Sequence, residues 1–440
     1  MNRSLKASTA PIILVSPDMR PSVMGVARSL AEANLLQRFV TTVAVGNGSH
    51  SAAFSYLPAP LRKRVRAKFS GREIPGFLKV PVETFPSREL IVLAGRRAGL
   101  GDVTSHHLWE WAETSFDNKV AARWAGRAPC IYGCEHASVE TFKKQKEAGG
   151  LNILWQVIAH HRTVFSLLRE EYEKFPDAMT PYITRMFNDA KRINERKDKQ
   201  FDLADLIVTN SEFSRRTFIE AGISAEKVKA IPTGCPPITN RQRVSAGQES
   251  KMIFLSAGTQ SVRKGTPYLL QAWRRLPASA KAELWLVGEM QLPERLLNNL
   301  PEGVVIKPSV PRAELKEIFA SASVLVLPTL CEGLAHIILE AMAAGLAVIT
   351  TENSGCGDLV EDGVNGWKTP IRDSDTLSER LSWSLDHPAE VAEMQRQSQH
   401  IAAGWQEEDF VAAHTKTIQV FLAEKGISEH KQQPVPSYAG

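Results

Sequence analysis

The chain has 440 residues, of which 43% are hydrophobic and 23% charged, so it is long enough for two domains of ordinary size. Its formal net charge is only +5 at pH 7, and no apolar run approaches the roughly 18–20 residues that a membrane-spanning helix needs. The apolar run at Ile12–Val15 is too short for a signal peptide and predicts a buried first strand. These values are typical of a globular protein without a transmembrane helix.

The cysteines and histidines give no metal or disulfide pattern. The five cysteines are scattered and favour a reducing setting: Cys130, Cys134, Cys235, Cys331 and Cys356. One group of histidines and acids has spacings that match no standard ligand set: His106, His107, Glu110, Glu135 and His136. We therefore expect no metal.

Two stretches concentrate positive charge. The first has cations without an intervening acid: Arg62, Lys63, Arg64, Arg66, Lys68 and Arg72. It predicts attraction to anionic lipid headgroups or phosphorylated acceptors. The second, residues 191–199, also contains Glu195 and Asp198, so a solvated helix face explains it as well. Neither has the interleaved base-stacking residues of a nucleic-acid binder, and we expect no nucleic-acid partner.

The first half of the chain alternates predicted strands and helices. Strand 11–16, helix 24–35 and strand 39–45 form a βαβ opening, and residues 46–90, rich in proline, predict loops with a short basic helix. The later elements are helices near 87–98, 107–125 and 137–148, strands at 130–132, 153–158, 205–210 and 227–231, and polar helices within 163–200. Asn210 or Ser211 is the predicted cap of the helix that follows strand 205–210. We predict a domain over 1–235, followed by a linker over 232–248.

The second half repeats this alternation and predicts a domain over 249–405. Its strands are expected at 252–256, 283–287 and 304–306, and its helices at 266–276, 293–300, 312–320, 374–387 and 388–402. A last helix is expected beyond this domain, at 406–424. Arg263 and Lys264 lie on a loop between two glycines after the first of these strands. Two cations there can cradle a diphosphate, although such a turn is also common on ordinary surfaces. The polar tail 428–440 predicts disorder.

The strongest signal lies in residues 328–366. A strand over 324–327 leads through a turn to Glu332, then to a helix whose apolar residues recur at helical spacing, then to a strand over 346–349. Such a unit belongs in a parallel sheet, where ligands lie beyond the carboxyl ends of the strands. Glu340 follows about 12 Å along that helix. The two glutamates can address opposite ends of an extended anionic ligand, or can both be ordinary surface residues.

The run CEGLAHIILEAMAAG from Cys331 to Gly345, with its Glu332-x7-Glu340 spacing, resembles the signature of glycosyltransferase family 4, a retaining family with the GT-B fold. The likeness continues through GCGDLVEDGVNG at 355–366. It implies an α/β protein with two doubly wound Rossmann-like domains facing a cleft, the first binding the acceptor and the second binding the nucleotide sugar. It further implies that the last helix, around 406–424, packs back onto the first domain. It also implies that Glu332 and the backbone of Gly333, Leu334 and Ala335 hold the donor sugar, while Glu340 holds the ribose.

The resemblance assigns further residues of the second half. Lys264, with Arg263, matches the cations that stabilise the departing diphosphate. Thr259 stands where the family usually has an arginine, and Arg263 is expected to compensate. Val310 lies in the segment that resembles the nucleobase loop, whose main chain would read the base edge.

Two positions of the first half follow from the same resemblance. Gly25 matches a first-loop glycine near the donor phosphates, where family members usually have two glycines. His160, or its neighbour His161, matches the histidine beside the reacting sugar. A structural role for a histidine in such a loop is the alternative.

The resemblance thus implies a retaining glycosyltransferase that moves a sugar from a nucleotide-diphosphate sugar to a glycan or lipid-linked acceptor without cofactor or metal. We expect a role in cell-surface polysaccharide or lipopolysaccharide biosynthesis, in the cytoplasm, with peripheral attachment to the inner face of the plasma membrane as an option. One alternative is a non-catalytic GT-B protein that binds a sugar nucleotide or a partner. Another is a phosphorylase or hydrolysing epimerase on the same fold.

Overall fold

A computed structural model of the chain describes residues 10–46, 70–239, 251–277 and 279–427. The predicted basic cluster at residues 62–68, the later part of the predicted linker and the predicted tail 428–440 lie outside the described residues. Among the described helices none is long and apolar enough to cross a membrane.

The first sheet has seven strands among the described residues: β1 (Ile12–Val15), β2 (Leu36–Thr41), β3 (Val82–Thr84), β4 (Cys130–Cys134), β5 (Leu151–Gln156), β6 (Leu206–Thr209) and β7 (Val228–Ala230). Their order is β3-β2-β1-β4-β5-β6-β7. Strand β1 pairs in parallel with both β2 and β4. Every residue of β1 and β4 is buried, as expected for parallel strands covered on both faces. Because β1 continues to β2 on one side and β4 to β5 on the other, the β1/β4 edge is the topological switch point of this sheet.

The helices of this half are α1 (Pro21–Glu32), α2 (Ser87–Arg97), α3 (Asp102–Trp124), α4 (Val139–Glu147), α5 (His161–Lys174), α6 (Pro181–Leu203) and α7 (Glu212–Glu220). The predicted start of the first helix at residue 24 is wrong. Pro21 opens α1, because a proline is tolerated in the first helical turn. Gly25 is consequently a buried residue inside the helix rather than a loop residue, and its contact with a ligand stays a prediction.

The second sheet has six strands among the described residues: β8 (Met252–Ala257), β10 (Ala282–Val287), β12 (Val304–Lys307), β13 (Val324–Leu327), β14 (Ala347–Thr351) and β15 (Gly366–Thr369). Their order is β12-β10-β8-β13-β14-β15, and every pair is parallel. Two short strands that the sequence did not predict form a separate pair, β9 (Gln260–Ser261) and β11 (Met290–Gln291). The predicted α/β architecture is therefore present in both halves.

The helices of the second half are α8 (Thr266–Trp273), α9 (Glu294–Leu297), α10 (Arg312–Ser321), α11 (His336–Ala343), α12 (Ser374–Asp386), α13 (Pro388–Ala403) and α14 (Glu407–Glu424). Helix α11 begins two residues later than its apolar pattern predicts. The backbone N–H of Glu332 donates to the carbonyl of Asn353 (2.8 Å), and that of Ala335 donates to Ser354 (2.9 Å). These bonds hold the residues before α11 against the following loop instead of in a helix.

The chain packs into two compact units. The first unit takes residues from 1–155, 196–207 and 411–440, and the second takes 156–195 and 208–410. The sequence-derived domain bounds, 1–235 and 249–405, follow the two sheets and stay a prediction.

A buried histidine joins three elements of the first unit. The Nδ1 of His414, on α14, lies 2.6 Å from Ser29 Oγ, and its Nε2 lies 2.9 Å from the hydroxyl of Tyr132. The side chain is fully buried, and burial lowers its pKa to about 3. His414 is therefore neutral in the folded protein at every pH near neutrality.

Candidate functional site

The loop from Gly258 to Gly265, here called the cation loop, connects β8 to α8. Both glycines have positive φ, +114° and +73°, which L-residues with side chains rarely adopt. A Cβ on Gly265 would lie 1.9 Å from the carbonyl oxygen of Pro328. The N–H of Leu330 also donates to the carbonyl of Arg263 (2.9 Å). The cation loop is thus fixed against residues 328–335, here called the acidic turn.

Gln260 holds the cation loop from inside, a role that the sequence analysis missed. Its side chain is 1% exposed. Its Oε1 accepts hydrogen bonds from Ser256 (3.2 Å) and Thr266 (3.1 Å), and its Nε2 donates to the carbonyl of Gly258 (3.1 Å). A fully bonded amide of this kind specifies one loop conformation. The sequence signal is weak, because a glutamine after a strand is usually a surface residue.

The acidic turn places Glu332 between the two cations of the loop. Its Oε1 lies 2.7 Å from Lys264 Nζ and 2.5 Å from an Arg263 guanidinium nitrogen. The Lys264 and Glu332 side chains are each 14% exposed, whereas Arg263 is 39% exposed. Two cations against one carboxylate leave an excess positive charge in a largely desolvated site. Such a site favours an anionic ligand that can share the cations with Glu332.

The backbone after Glu332 is confined by contacts from residues 157 and 211. A Cβ on Gly333 would lie 1.7 Å from the carbonyl oxygen of Val157. The hydroxyl of Ser211 donates to the Gly333 carbonyl, and that of Ser214 reaches the same oxygen at 3.4 Å. Ser211 also accepts from the N–H of Ser214, so its predicted role as the α7 cap is confirmed. Its bond to Gly333 is a second role that capping patterns do not reveal.

Several N–H groups at the start of α11 make no hydrogen bond within the described residues: those of Gly333, Leu334, His336 and Ile337. Free N–H groups and the helix dipole attract negative charge at a helix N-terminus. Burial and the charge of Arg312 lower the pKa of His336, so its imidazole adds no cation at pH 7. Burial raises the pKa of Cys331 to about 12, which excludes it as a thiolate nucleophile.

Glu340 lies in α11, the helix that begins beside the acidic turn. Its side chain is 24% exposed and pairs with Arg312 at 3.2 Å, where the arginine is 80% exposed. The carboxylate therefore stands at a polar edge rather than within the apolar core that α11 otherwise packs into. An arginine this exposed can turn aside at little cost, which leaves Glu340 available to a hydroxyl-bearing ligand.

Val310 and Thr259 occupy the loops that their sequence context predicts. Val310 is half-buried between β12 and α10 and packs against the core under α11. Across the described ranges, neither its N–H nor its carbonyl makes a main-chain hydrogen bond. Thr259 is half-buried in the cation loop. Contact of either residue with a ligand stays a prediction.

His160 is the N-cap of α5. Its Nδ1 accepts from the N–H of Arg162 (3.2 Å), and its own N–H donates to Thr217 Oγ1 (2.9 Å). Its side chain is 1% exposed, and the ring meets that of Phe218 edge-on. These contacts give His160 a structural role. Its contact with a sugar stays a prediction.

The region that forms this site matches a known protein family. Residues 250–387 match the family profile described as Glycosyl transferases group 1. The matched region contains the cation loop, the acidic turn and Glu340.

Two curated relatives are similar over less than half of the chain. The amylovoran biosynthesis glycosyltransferase AmsK of Erwinia amylovora is 26% identical over 186 residues, which cover 40% of this chain and 46% of the relative. The putative colanic acid biosynthesis glycosyltransferase WcaL of Salmonella typhimurium is 28% identical over 196 residues, covering 41% and 48%. The chain thus matches about half the length of these curated relatives.

Solved structures match over nearly the whole chain. Anabaena HepE in complex with UDP has a TM-score of 0.57 at 17% identity, covering 94% of this chain and 100% of that one. The lipopolysaccharide outer core galactosyltransferase WaaB has a TM-score of 0.59 at 13% identity, covering 94% and 99%. At these identities the likeness concerns the fold, and the prediction of a GT-B fold is confirmed.

Proposed function

We propose that the protein is a retaining glycosyltransferase that takes a sugar from a nucleotide-diphosphate sugar and transfers it to a glycan or lipid-linked acceptor. The observation that carries this proposal is the pairing of Glu332 with Lys264 and Arg263 beside unpaired N–H groups at the start of α11. Two cations and a helix N-terminus suit a diphosphate, and the adjacent carboxylate suits sugar hydroxyls. The match to the group 1 profile and the UDP bound to HepE support the same donor class.

Each residue of the site has a part in this reaction. Lys264 and Arg263 stabilise the charge that develops on the diphosphate as the bond to the sugar breaks. Glu332, released from the cations, accepts hydrogen bonds from hydroxyls of the donor sugar. Glu340 accepts from the ribose, and the main chain at Val310 contacts the base. The departing phosphate takes the proton of the acceptor hydroxyl, and no metal or cofactor takes part.

The acceptor belongs to cell-surface polysaccharide biosynthesis in this proposal. The relatives AmsK and WcaL are named for amylovoran biosynthesis and colanic acid biosynthesis, and WaaB is named for the lipopolysaccharide outer core. A cytoplasmic protein with peripheral attachment to the inner face of the plasma membrane fits such a pathway. The basic residues that would contact anionic lipid are those at 62–68.

Calorimetric titration with UDP, GDP, ADP and dTDP tests the donor site on the wild type and on Glu340→Ala. We expect one nucleotide to bind selectively and to bind roughly tenfold more weakly to the variant, because a ribose hydroxyl loses a charged acceptor. Glu379→Gln, an exposed change on α12, is the matched control. Failure of all four nucleotides to bind the wild type would favour a non-catalytic role for the fold.

A further inference from the structure

Helix α5 contains a buried carboxylate that has no part in the site described above. The helix packs within the second unit, which takes residues 156–195 together with 208–410. Glu171 on α5 is fully buried, with a relative exposure of 0%. Burying a carboxylate costs free energy unless charged or hydrogen-bonded partners replace the lost water. The partners of Glu171 therefore show what this helix is fixed to.

Two segments that are distant in the sequence meet at Glu171. The hydroxyl of Tyr268, on α8, donates to Glu171 Oε2 (2.7 Å). Arg372, in the loop after β15, lies 2.5 Å from Glu171 Oε1 through its Nε and 2.7 Å from Glu170 through a terminal nitrogen. Lys174 is farther away, at 3.4 Å, and is half exposed, so it adds little. Glu171 thus joins α5 to α8 through one oxygen and to the loop after β15 through the other.

Arg372 has a left-handed backbone conformation, with φ of +66°. Residues with side chains rarely adopt this conformation, and it persists only where the surrounding contacts impose it. Besides its ion pairs with Glu170 and Glu171, the Arg372 guanidinium donates to the carbonyl of Leu167 (3.3 Å). Three contacts with one helix therefore hold the loop after β15 against α5.

Tyr268 connects Glu171 to the cation loop. Burial raises the pKa of Tyr268, and the hydrogen bond to Glu171 raises it further, so the hydroxyl keeps the proton that it donates. A hydroxyl that donates to a carboxylate makes a charge-assisted hydrogen bond, which is stronger than one between neutral groups. The main-chain N–H of Tyr268 donates to the carbonyl of Gly265, the last residue of the cation loop (3.0 Å). The bond to Glu171 thus fixes the first turn of α8, directly after the loop.

Apolar packing brings the same helix against both segments of the site. One buried cluster contains residues of α5, the cation loop, α8 and the acidic turn: Leu168, Tyr172, Phe175, Val262, Tyr268 and Leu330. Burial raises the pKa of Tyr172, and the charge of Arg263 opposes that rise. The phenol of Tyr172 is therefore close enough to Arg263 to feel its charge. Helix α5 supports the cation loop from the side of the core.

We propose that Glu171 is a positioning residue for the two cations of the site. Through Tyr268 it fixes the start of α8, and with it the loop that carries Arg263 and Lys264. Because it is fully buried, Glu171 acts through Tyr268 and does not touch the ligand. The inference rests on the proposed function, since it concerns the diphosphate that these cations are proposed to bind. The fixed placement matters because a misplacement of about 1 Å can slow a reaction about 100-fold.

Two substitutions separate the parts of this link. Tyr268→Phe removes only the hydroxyl, and Glu171→Gln removes the charge but keeps an acceptor oxygen. UDP, GDP, ADP and dTDP are titrated calorimetrically, and the nucleoside of whichever one binds the wild type is measured by saturation-transfer NMR. We expect both variants to bind the nucleoside diphosphate about fivefold more weakly and the nucleoside within about twofold of the wild type, because only the diphosphate contacts the cations. A merely structural role would weaken both equally.

Hydrogen exchange on the full chain without nucleotide gives a second measurement. Residues 258–265 should exchange about threefold faster in both variants, because the loop loses a support that keeps it closed. Glu173→Gln, an exposed change on the same helix, is the matched control and should equal the wild type in all three measurements. If Glu171→Gln fails to fold, Tyr268→Phe decides, since it leaves the ion pair of Glu171 with Arg372 in place.

Three results would overturn this inference alone, given a wild type that binds one of the four nucleotides. They are wild-type affinity of Tyr268→Phe for that nucleotide, equal weakening of nucleotide and nucleoside, and unchanged exchange of residues 258–265. Binding of none of the four nucleotides by the wild type would overturn the proposed function, and this inference with it.

Discussion

Replacing Glu332 by Gln should act in opposite directions on the nucleotide and on the sugar. The Glu332 carboxylate contacts the two cations that the proposal assigns to the diphosphate. Removing that charge frees Lys264 and Arg263, so a nucleoside diphosphate without a sugar should bind more tightly. The variant also loses the acceptor for the sugar hydroxyls, so transfer should slow.

The structure sets the size of both effects. Unit charges about 4 Å apart interact by about 4 kcal/mol at an effective dielectric constant of about 20, but measured partly exposed pairs contribute nearer 1 kcal/mol. The Lys264 pair, 14% exposed on both sides, should approach about 1–2 kcal/mol, and the more exposed Arg263 adds little. We therefore expect roughly 5- to 30-fold tighter nucleotide binding. Loss of a charge-assisted hydrogen bond worth about 1.5–3 kcal/mol predicts a fall in kcat/KM of roughly 10- to 150-fold.

Calorimetry with the nucleoside diphosphate and a kinetic assay of its release from the sugar nucleotide measure the two effects on one preparation. Lys264→Ala is the contrast, because it should weaken nucleotide binding and slow transfer together. Glu379→Gln should change neither. Weaker nucleotide binding by Glu332→Gln, or near-normal turnover by Lys264→Ala, would refute the reasoning.

Two further predictions concern the stability of the folded protein. Gly333→Ala should destabilise the protein by roughly 1–3 kcal/mol and weaken nucleotide binding, since its Cβ would lie 1.7 Å from the Val157 carbonyl. Urea unfolding should show no such loss for Gly404→Ala, whose Cβ would meet nothing nearer than 3.4 Å. For His414 the folded pKa, about 3, lies below the unfolded value of about 6.5, so the unfolded chain binds the proton first and acid favours unfolding. Its contribution to stability, present above pH 6.5, should fall by about 1.4 kcal/mol per pH unit toward pH 3, and an unchanged slope for His414→Gln would contradict this.

The order of strands and helices was predictable because apolar periodicity and glycine or proline boundaries are local signals. The strand Val324–Leu327 and the helix from Arg312 appear where the pattern places them. Helix starts were less predictable. The starts of α1 and α11 were wrong by three and two residues, because Pro21 and the bonds to residues 353 and 354 decide them.

Individual residues of the site were predictable where a sequence motif contains them, but their contacts with one another were not. Glu332 and Lys264 follow from spacing and family resemblance, but their 2.7 Å contact joins segments that no periodicity relates. The support of the loop by Gln260 and Ser211 depends on tertiary hydrogen bonds. The sequence contains each of these residues but does not reveal the tertiary contact that defines its role.

The close contacts between the cation loop and the acidic turn have a practical consequence for protein engineering. Gly265 lies against the Pro328 carbonyl, and the main-chain carbonyl of Arg263 accepts a hydrogen bond from the N–H of Leu330. A chimaera that imports one of these segments from a relative with another donor preference would meet a mismatched counterpart. The cation loop and the acidic turn pack against each other. Libraries designed to change the donor preference should therefore transplant residues 258–265 and 328–335 together.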